Sequence, residues 1–407
     1  MKRIKSSVIL ILIAIIIIYF SAMIIVAYLP KYLQHLNAPE PIIQLTRSIF
    51  MATLFIFPPI IGKLSDRIQK RFLFVLIGTI GMIGTLFLLL ITKDLIMISI
   101  LLFIFGFFAS SFTILFTLYV EMVQNDPKKI ARYNASLAIG WFLGVFSGGM
   151  LNATYGIEYM FVYSFLPLLL AFFFVIFIKE DRNLILEQNR NLKEKNQIPD
   201  KLNTNEDIRS NLKSILYSLF FRSFGIRPIL GIIVTIIGLS ITNETEIGFL
   251  IGVNPLLQFF LMILVGKIIT NKNLKVFIIL GNFLTIFIIF GYIYSFNFWT
   301  FLIFQILVAL SYSLLWMGSL TYIAQNSTPK NKGRYIGYAT MSSFAGDSIG
   351  GLFYSLMLTI FYSDHFIVMY FMIIFPIISL FIISFKFSPI KKVKPLSKTN
   401  LDSEGEH

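Results

Sequence analysis

The chain has 407 residues, of which 57% are hydrophobic and only 13% are charged, and its formal net charge is +14. Because soluble domains carry roughly 25% charged residues, this composition excludes an ordinary soluble protein. Apolar runs of about 18 residues or more recur along the whole chain, and each can cross a hydrocarbon core of about 30 Å as a helix. The runs are continuous, whereas the strands of a membrane β-barrel alternate in polarity, so we predict an all-α polytopic membrane protein.

The apolar runs predict twelve transmembrane helices, which we number spans 1 to 12 in chain order. The first run follows a basic tip, as in a signal peptide, but it has no small-residue cleavage site, so we interpret it as span 1. A polar, charge-rich segment between spans 6 and 7 is predicted to be a linker. The predicted spans are 8–29, 43–62, 72–92, 96–122, 133–154, 157–178, 214–239, 247–267, 275–295, 298–323, 335–359 and 364–386. The predicted organisation is an N-terminal six-helix bundle (1–178), the linker (179–213), a C-terminal six-helix bundle (214–390) and a tail (391–407).

Lysine and arginine are distributed unequally between the two sides of the predicted membrane. The linker, the termini and the loops on their side hold 29 of the 34 basic residues, whereas the opposite side has only Lys31 and Lys93. The positive-inside rule therefore predicts a multi-pass protein of the cell membrane with both termini and the linker in the cytoplasm. This topology accounts for the positive charge, so no nucleic-acid partner is predicted.

The two halves of the chain contain an internal repeat. The segment QNDPKKIARYNASLAIGWFLGVFSGGM at 124–150 aligns with QNSTPKNKGRYIGYATMSSFAGDSIGGL at 325–352. From Arg132 and Arg334 onward, Gly144 and Gly346, among other pairs, keep an offset of 202 residues. Because each half has an even number of spans, the repeats have the same orientation. Parallel repeats of this kind occur in transporters whose two six-helix bundles rock around a cavity at the membrane midplane.

A cluster of charged residues interrupts the apolar sequence between spans 2 and 3. Positions 62–71 read GKLSDRIQKR, which resembles the loop 2–3 signature Gly-x-Leu-x-Asp-Arg-x-Gly-Arg-Arg of the major facilitator superfamily. Gln69 replaces the usual glycine and a lysine replaces one arginine. The resemblance extends over nearly the whole chain and implies a transporter with twelve helices in two bundles.

The cluster suggests a gate at the cytoplasmic ends of the helices. Gly62 is expected to let span 2 pack closely against a neighbour, and Asp66 can accept hydrogen bonds from the positive N-terminal end of span 11, near Gly333–Tyr335. In the family that contact joins the bundles when the cytoplasmic side is closed. The basic residues are expected to pair with acids such as Glu121, or only to fix the topology. The predicted gating residues are Gly62, Asp66, Arg67, Lys70, Arg71, Glu121 and Arg132.

Charged residues inside the spans are functional candidates, because an unpaired charge in the membrane costs several kcal/mol. Asp347 lies near the middle of span 11, where the first repeat has Val145, and helix packing does not explain an acid there. Arg227 lies at a similar depth and is the preferred partner, with Arg47 as the alternative. The pair is predicted either to carry a proton or a substrate charge, or to be a buried structural pair. Arg222 is expected to snorkel toward the cytoplasm.

The family arrangement implies that spans 1, 4, 7 and 10 line a central cavity. The candidate lining residues are Tyr19, Ser110, Ser111, Tyr312, Ser313 and Trp316. The histidines are expected in outer loops or the tail, which argues against a histidine proton relay. No cofactor or metal site is predicted, because there is no cysteine and no Gly-x-x-x-x-Gly-Lys-Ser/Thr phosphate loop.

The leading hypothesis is a secondary transporter that moves a small molecule by alternating access, and not an enzyme. A polytopic membrane enzyme would need a catalytic cluster of histidines or acids, and a sensor would need an added soluble domain. Within transporters, proton-coupled efflux of apolar or amphipathic compounds competes with import or uniport of a sugar, an organic acid or a similar solute. The aromatic-rich spans favour efflux slightly. The glycine-rich segments lack the proline of drug:proton antiporters and span 4 lacks the arginine that exporters often carry, which counts against efflux. The expected partners are the substrate, the lipid bilayer and protons as a candidate coupling ion, and a monomer is expected.

Overall fold

A computed structural model describes residues 2–68, 70–123, 127–180, 206–270, 272–326 and 329–388, and the described secondary structure is helical. In the N-terminal half, spans 1 to 6 are the helices Lys2–His35, Glu40–Ile68, Arg71–Ile91, Leu95–Ala109 with Phe112–Met122, Pro127–Tyr155 and Met160–Ile176. A short 3₁₀ helix, Ile157–Tyr159, precedes span 6. In the C-terminal half, spans 7 to 12 are Glu206–Gly231 with Ile233–Gly238, Glu244–Ile268, Leu274–Ile293, Phe298–Asn326, Pro329–Ile360 and His365–Met372 with Ile374–Lys386. The predicted all-α membrane fold is thus confirmed.

Within the described ranges, ten of these spans are long and apolar enough to cross a membrane, and spans 7 and 11 are not among them. Span 7 is divided after Gly231 and carries Arg222 and Arg227, while span 11 carries Asp347 and many small or polar residues. Span 11 nevertheless packs along span 7 of its own bundle and span 2 of the other. Their buried charged residues, such as Arg222 and Asp347, therefore lie between helices.

The structure moves the predicted boundary between the linker and span 7. The helix begins at Glu206, so the predicted boundary at 214 lies inside it. Asn211 fixes this first part of the helix, because its side chain exchanges two hydrogen bonds with the backbone of Ser388 at the end of span 12. The neighbouring Leu212 is buried in the same contact region. Most of the predicted linker and the whole tail lie outside the described residues.

The internal repeat is visible in the packing of its glycines. Gly144 in span 5 lies against the backbone of Phe20 in span 1, and Gly346 in span 11 lies in the same way against Phe220 in span 7. The glycines five residues further along face the other bundle: Gly149 contacts the start of span 8, and Gly351 contacts span 2. Small residues allow such close helix approach in membranes. The sequence repeat therefore corresponds to a structural repeat, because equivalent helices of the two halves make equivalent contacts.

The bundles contact each other at one end. We call the face at which span 1 begins the basic face, and the face at which span 1 ends the opposite face. The hydrogen bonds, ion pairs, ring contacts and close glycine contacts between described residues of the two bundles all lie in the half of the helices nearer the opposite face. Toward the basic face, an added Cβ at Gly62 of span 2 or Gly337 of span 11 would meet nothing within 4 Å. As far as the described side chains show, the space between the bundles is therefore closed at the opposite face and open toward the basic face.

Candidate functional site

A cavity of about 360 Å³ lies between the two bundles, within the size range of small-molecule sites. Its walls come from both halves of the chain. Most of the lining is apolar, and the polar groups are few. Seven residues proposed from the sequence line it: Tyr19, Arg47, Arg222, Arg227, Tyr312, Trp316 and Asp347.

Asp347 connects the two bundles at the cavity wall. Its carboxylate oxygens accept hydrogen bonds from Arg47 Nη1 at 2.9 Å and Arg47 Nη2 at 3.3 Å. Arg227 Nη1 lies 3.7 Å from the same carboxylate. The structure thus contains both ion pairs considered from the sequence, and the alternative partner, Arg47, is the closer one. The reason is the close packing of span 2 on span 11, where Ser348 donates a hydrogen bond to the carbonyl oxygen of Ser48.

The Arg47 guanidinium is held in a fixed position by span 7. It packs directly against Gly231, so that a side chain on this residue would occupy the same space. Arg47 Nη2 also donates to the carbonyl oxygen of Arg227 at 3.4 Å. The absence of a side chain at Gly231, next to the break in span 7, therefore makes room for a cation from the other bundle.

Arg222 does not reach the membrane surface, so the expectation that it snorkels is wrong. The residue is 2% exposed, and its side chain donates hydrogen bonds to Thr285 Oγ1 at 2.9 Å and Ser311 Oγ at 3.1 Å. Its guanidinium also lies 5.6 Å from the centre of the Tyr312 ring. These neutral partners in spans 9 and 10 hold it at the cavity wall. Among the described residues it has no acidic partner.

Three serines predicted to line the cavity belong to the helix packing instead. Ser110 and Ser111 lie between the two helical segments of span 4, and Ser110 Oγ donates to the carbonyl oxygens of Gly106 and Thr53. Ser111 is buried against Gly78 of span 3. Ser313 is buried and donates to Ala309 of its own helix. The depth of a residue in a span could be estimated from the sequence, but the direction of its side chain around the helix could not.

Several lining residues were not proposed from the sequence. They are polar or aromatic side chains from spans 5, 8, 10 and 11, including Trp141, Asn254, Gln258, Gln305 and Phe344. Asn254 and Gln258 stand four residues apart in an otherwise apolar stretch of span 8, and they form a hydrogen bond of 2.7 Å. This spacing of polar residues on one face of a helix was the available signal.

The predicted gating residues differ in the contacts that they make in the structure. Arg71 forms two hydrogen bonds with the Glu121 carboxylate, at 2.7 and 2.6 Å, as the sequence suggested. Glu180, from the predicted linker, accepts hydrogen bonds from the first backbone amides of span 3 and so caps that helix. The side chains of Arg67, Lys70 and Arg132 are exposed, and no ion pair joins them to another side chain that the structure describes.

Two further gating expectations concern contacts between the bundles at the basic face. The close packing expected at Gly62 is absent in this open arrangement. The side chain of Asp66 and the first residues of span 11 before Arg334 are not among the described side chains. The contact expected for a closed cytoplasmic side therefore stays a prediction.

Charged residues that lie far apart in the sequence meet at the opposite face. Lys31 of span 1 forms an ion pair with Glu244 of span 8. His365 of span 12 is buried, with Nε2 lying 3.2 Å from Glu40 Oε2 of span 2 and Nδ1 lying 3.2 Å from the Tyr354 hydroxyl. The Lys31–Glu244 and Glu40–His365 contacts join the two bundles, and no local sequence pattern links residues so distant along the chain.

Comparisons with known proteins agree with this architecture. A family model described as the MFS_1 like family matches residues 9–368. The nucleoside transporter NupG has a TM-score of 0.72 at 12% identity and covers 95% of this chain and 100% of its own. The POT family transporter PepTSo has a TM-score of 0.74 at 12% identity, covering 93% of this chain and 97% of its own.

The human organic anion transporter MFSD10 (TETRAN) has a TM-score of 0.64 at 12% identity, covering 93% of this chain and 99% of its own. No curated protein matches the chain significantly in sequence. At these identities the structural likeness establishes the fold. The chain therefore belongs to the MFS_1-like family and has the fold of the membrane transporters of the major facilitator superfamily.

Proposed function

We propose that the protein is a secondary transporter that moves a small molecule across the membrane by alternating access. The observation that carries the proposal is the cavity between two repeat-related bundles, closed at the opposite face and open toward the basic face. If the basic face is cytoplasmic, as the distribution of lysine and arginine indicates, this is the inward-open state.

Transport requires the bundles to separate at the opposite face and to approach at the basic face. The Lys31–Glu244 and Glu40–His365 contacts would then break, because each joins the two bundles. The Arg47–Asp347 pair also joins the bundles and would lengthen. Arg227 lies in the same bundle as Asp347 and can stay with it.

This asymmetry makes Asp347 the candidate coupling group. In the present state its carboxylate is shared by two guanidiniums, and in the alternate state it would keep one of them. The number of cations around this carboxylate would therefore change with the conformation, and a group that differs between two states can couple a proton or a charged substrate to the conformational change. This cycle is compatible with efflux and with uptake, because both use the same two states.

The test measures both faces in the same protein. The sequence has no cysteine, so spin labels can be attached at introduced cysteines without other changes. One pair would be placed at Leu64 and Tyr338 on the basic face, and another at Tyr155 and Glu246 on the opposite face, all of them exposed positions. Distances would be measured by pulsed electron paramagnetic resonance in lipid nanodiscs.

The perturbation is the combined Lys31→Gln and Glu40→Gln variant, which weakens both ion contacts at the opposite face. Alternating access predicts that the opposite-face distance lengthens while the basic-face distance shortens. Lys93→Gln, which removes a cation on the same face that has no described ion pair, is the matched control. Distances that do not change, or both faces open together, would contradict the proposal.

A further inference from the structure

The cavity carries an excess of positive charge. Among the described residues, four charged side chains line it: the guanidiniums of Arg47, Arg222 and Arg227, and the carboxylate of Asp347. With all four charged, the lining has a net charge of +2 from these groups. The Arg47–Asp347 pair neutralises itself at 2.9 Å, so the excess resides on Arg222 and Arg227.

These two arginines differ in their exposure and in their partners. The Arg222 guanidinium is buried and has only hydroxyl and ring partners among the described residues. The Arg227 side chain is 22% exposed, lies 3.7 Å from Asp347, and faces the Phe344 ring at 5.2 Å. Burying a charge without a counter-charge is costly, and an anion bound in the cavity would remove that cost.

The rest of the lining favours an apolar body next to the charged group. The rings of Tyr312 and Trp316 stack nearly parallel, with centroids 5.8 Å apart and an angle of 10° between planes. Tyr19 and Trp141 extend this aromatic lining from the other bundle. Gln305, 1% exposed, offers a buried Nε2 donor with no described hydrogen-bond partner. A hydrogen-bond acceptor on the ligand would also satisfy this free donor in the cavity wall.

We infer that the substrate is an organic anion, whose oxyanion group binds Arg222 and Arg227 and whose apolar or aromatic body lies along Tyr312 and Trp316. This inference rests on the proposed transport function for its biological meaning, because it names the substrate class of the same cavity. The binding of the anion would replace the long Arg227–Asp347 contact and leave the closer Arg47–Asp347 pair in place. A carboxylate and a phosphonate share this chemistry, and a guanidinium binds either of them.

The experiment compares ligands that differ only in the charge of one group. The probes are phenylacetate, hydrocinnamate and naphthylacetate, each with its primary amide and its amine analogue, together with phenylphosphonate. Binding to the purified full chain is measured by thermal stabilisation and by quenching of tryptophan emission. Trp141 and Trp316 line the cavity, whereas the third tryptophan, Trp299, is 70% exposed and serves as an internal reference.

The expected result is that carboxylates or the phosphonate bind at least about tenfold more tightly than the amides and amines, since hydrogen bonds to charged groups are the stronger ones. A preference between carboxylate and phosphonate would identify the type of oxyanion. Arg227→Gln should lower the affinity for anions by about tenfold or more, while Arg227→Lys should retain part of it. Arg209→Gln removes an exposed cation from the same helix and should change nothing.

The inference is overturned if amides or amines bind as tightly as anions, if no probe of the panel binds, or if Arg227→Gln keeps the preference for anions. Its failure is separate from that of the proposed function. Reciprocal distance changes at the two faces without anion preference would leave alternating access intact. Anion binding in a protein whose faces do not alternate would instead remove the transport proposal.

Discussion

Replacing Asp347 by asparagine tests the central charge cluster most directly. The substitution keeps the shape of the side chain but removes the acid that faces both Arg47 and Arg227. Arg47 would keep its hydrogen bond to the Arg227 carbonyl oxygen, but its charge would stay buried without a counter-charge. We therefore expect Asp347→Asn to lower stability.

The magnitude follows from the burial of the two pairs. Removing one partner of a buried ion pair costs about 3–5 kcal/mol, because the other charge remains buried. The Arg47 and Asp347 side chains are 5% and 4% exposed, so this case applies to them. We expect about 3 kcal/mol, the lower end of that range, because Arg47 keeps one backbone partner. Arg227→Gln should cost about 1 kcal/mol or less, since that pair is longer and the arginine is partly exposed.

The assay is denaturant unfolding of the purified protein in one detergent, followed by tryptophan emission. The double variant Arg47→Gln/Asp347→Asn removes both charges and should recover most of the loss caused by Asp347→Asn alone, which gives a large coupling energy in a double-mutant cycle. The reasoning is refuted if Asp347→Asn is as stable as the parent, or if the double variant is no more stable than Asp347→Asn.

The remaining predictions concern the conformational cycle. Gly62→Leu and Gly337→Leu should change the stability of the present state little, because a Cβ added at either site would meet nothing within 4 Å, but should hinder closure of the basic face. Gly84→Leu, at an equally open site in span 3, is the control. The idea is refuted if the basic-face distances of the Gly62 and Gly337 variants are distributed as they are in this control. Asp66→Asn should shift the population toward the state open at the basic face severalfold, as expected for a charge–dipole contact of about 0.3–1 kcal/mol, and unchanged distances would contradict it. In vesicles, Asp347→Asn should flatten the pH dependence of hydrocinnamate transport per folded molecule, and an unchanged profile and rate would remove Asp347 from coupling.

The fold could be predicted from the sequence because several patterns along the chain indicate it independently. The length of each apolar run predicts a span, and the placement of lysine and arginine predicts on which side of the membrane each loop lies. The 202-residue offset predicts equivalent packing of Gly144 and Gly346. The start of span 7 was harder to delimit. It begins earlier than predicted because Asn211 bonds the backbone of Ser388, a contact between distant parts of the C-terminal half that no local pattern announces.

Part of the candidate site could be predicted from the sequence, and there is a physical reason why the other part could not. Charges inside spans are rare enough to stand out, so Arg47, Arg227 and Asp347 were identified individually. The depth of each along its helix can be counted at about 1.5 Å per residue, but the rotation of the helix cannot. Small hydroxyl residues carry no comparable signal, which is why Ser110 and Ser313 were assigned to the cavity although they bond their own helices.

The order of partners around Asp347 could not be predicted because it depends on the conformation as well as on the sequence. Arg227 belongs to the same bundle and lies 3.7 Å away, whereas Arg47 reaches 2.9 Å only because the two bundles meet at the opposite face. In the proposed cycle, Arg47 would leave with its own bundle when that face opens, and the Arg227–Asp347 pair preferred from the sequence would remain. A carboxylate that exchanges a cation of the other bundle for one of its own is the kind of element through which a bound proton or anion can bias the two states.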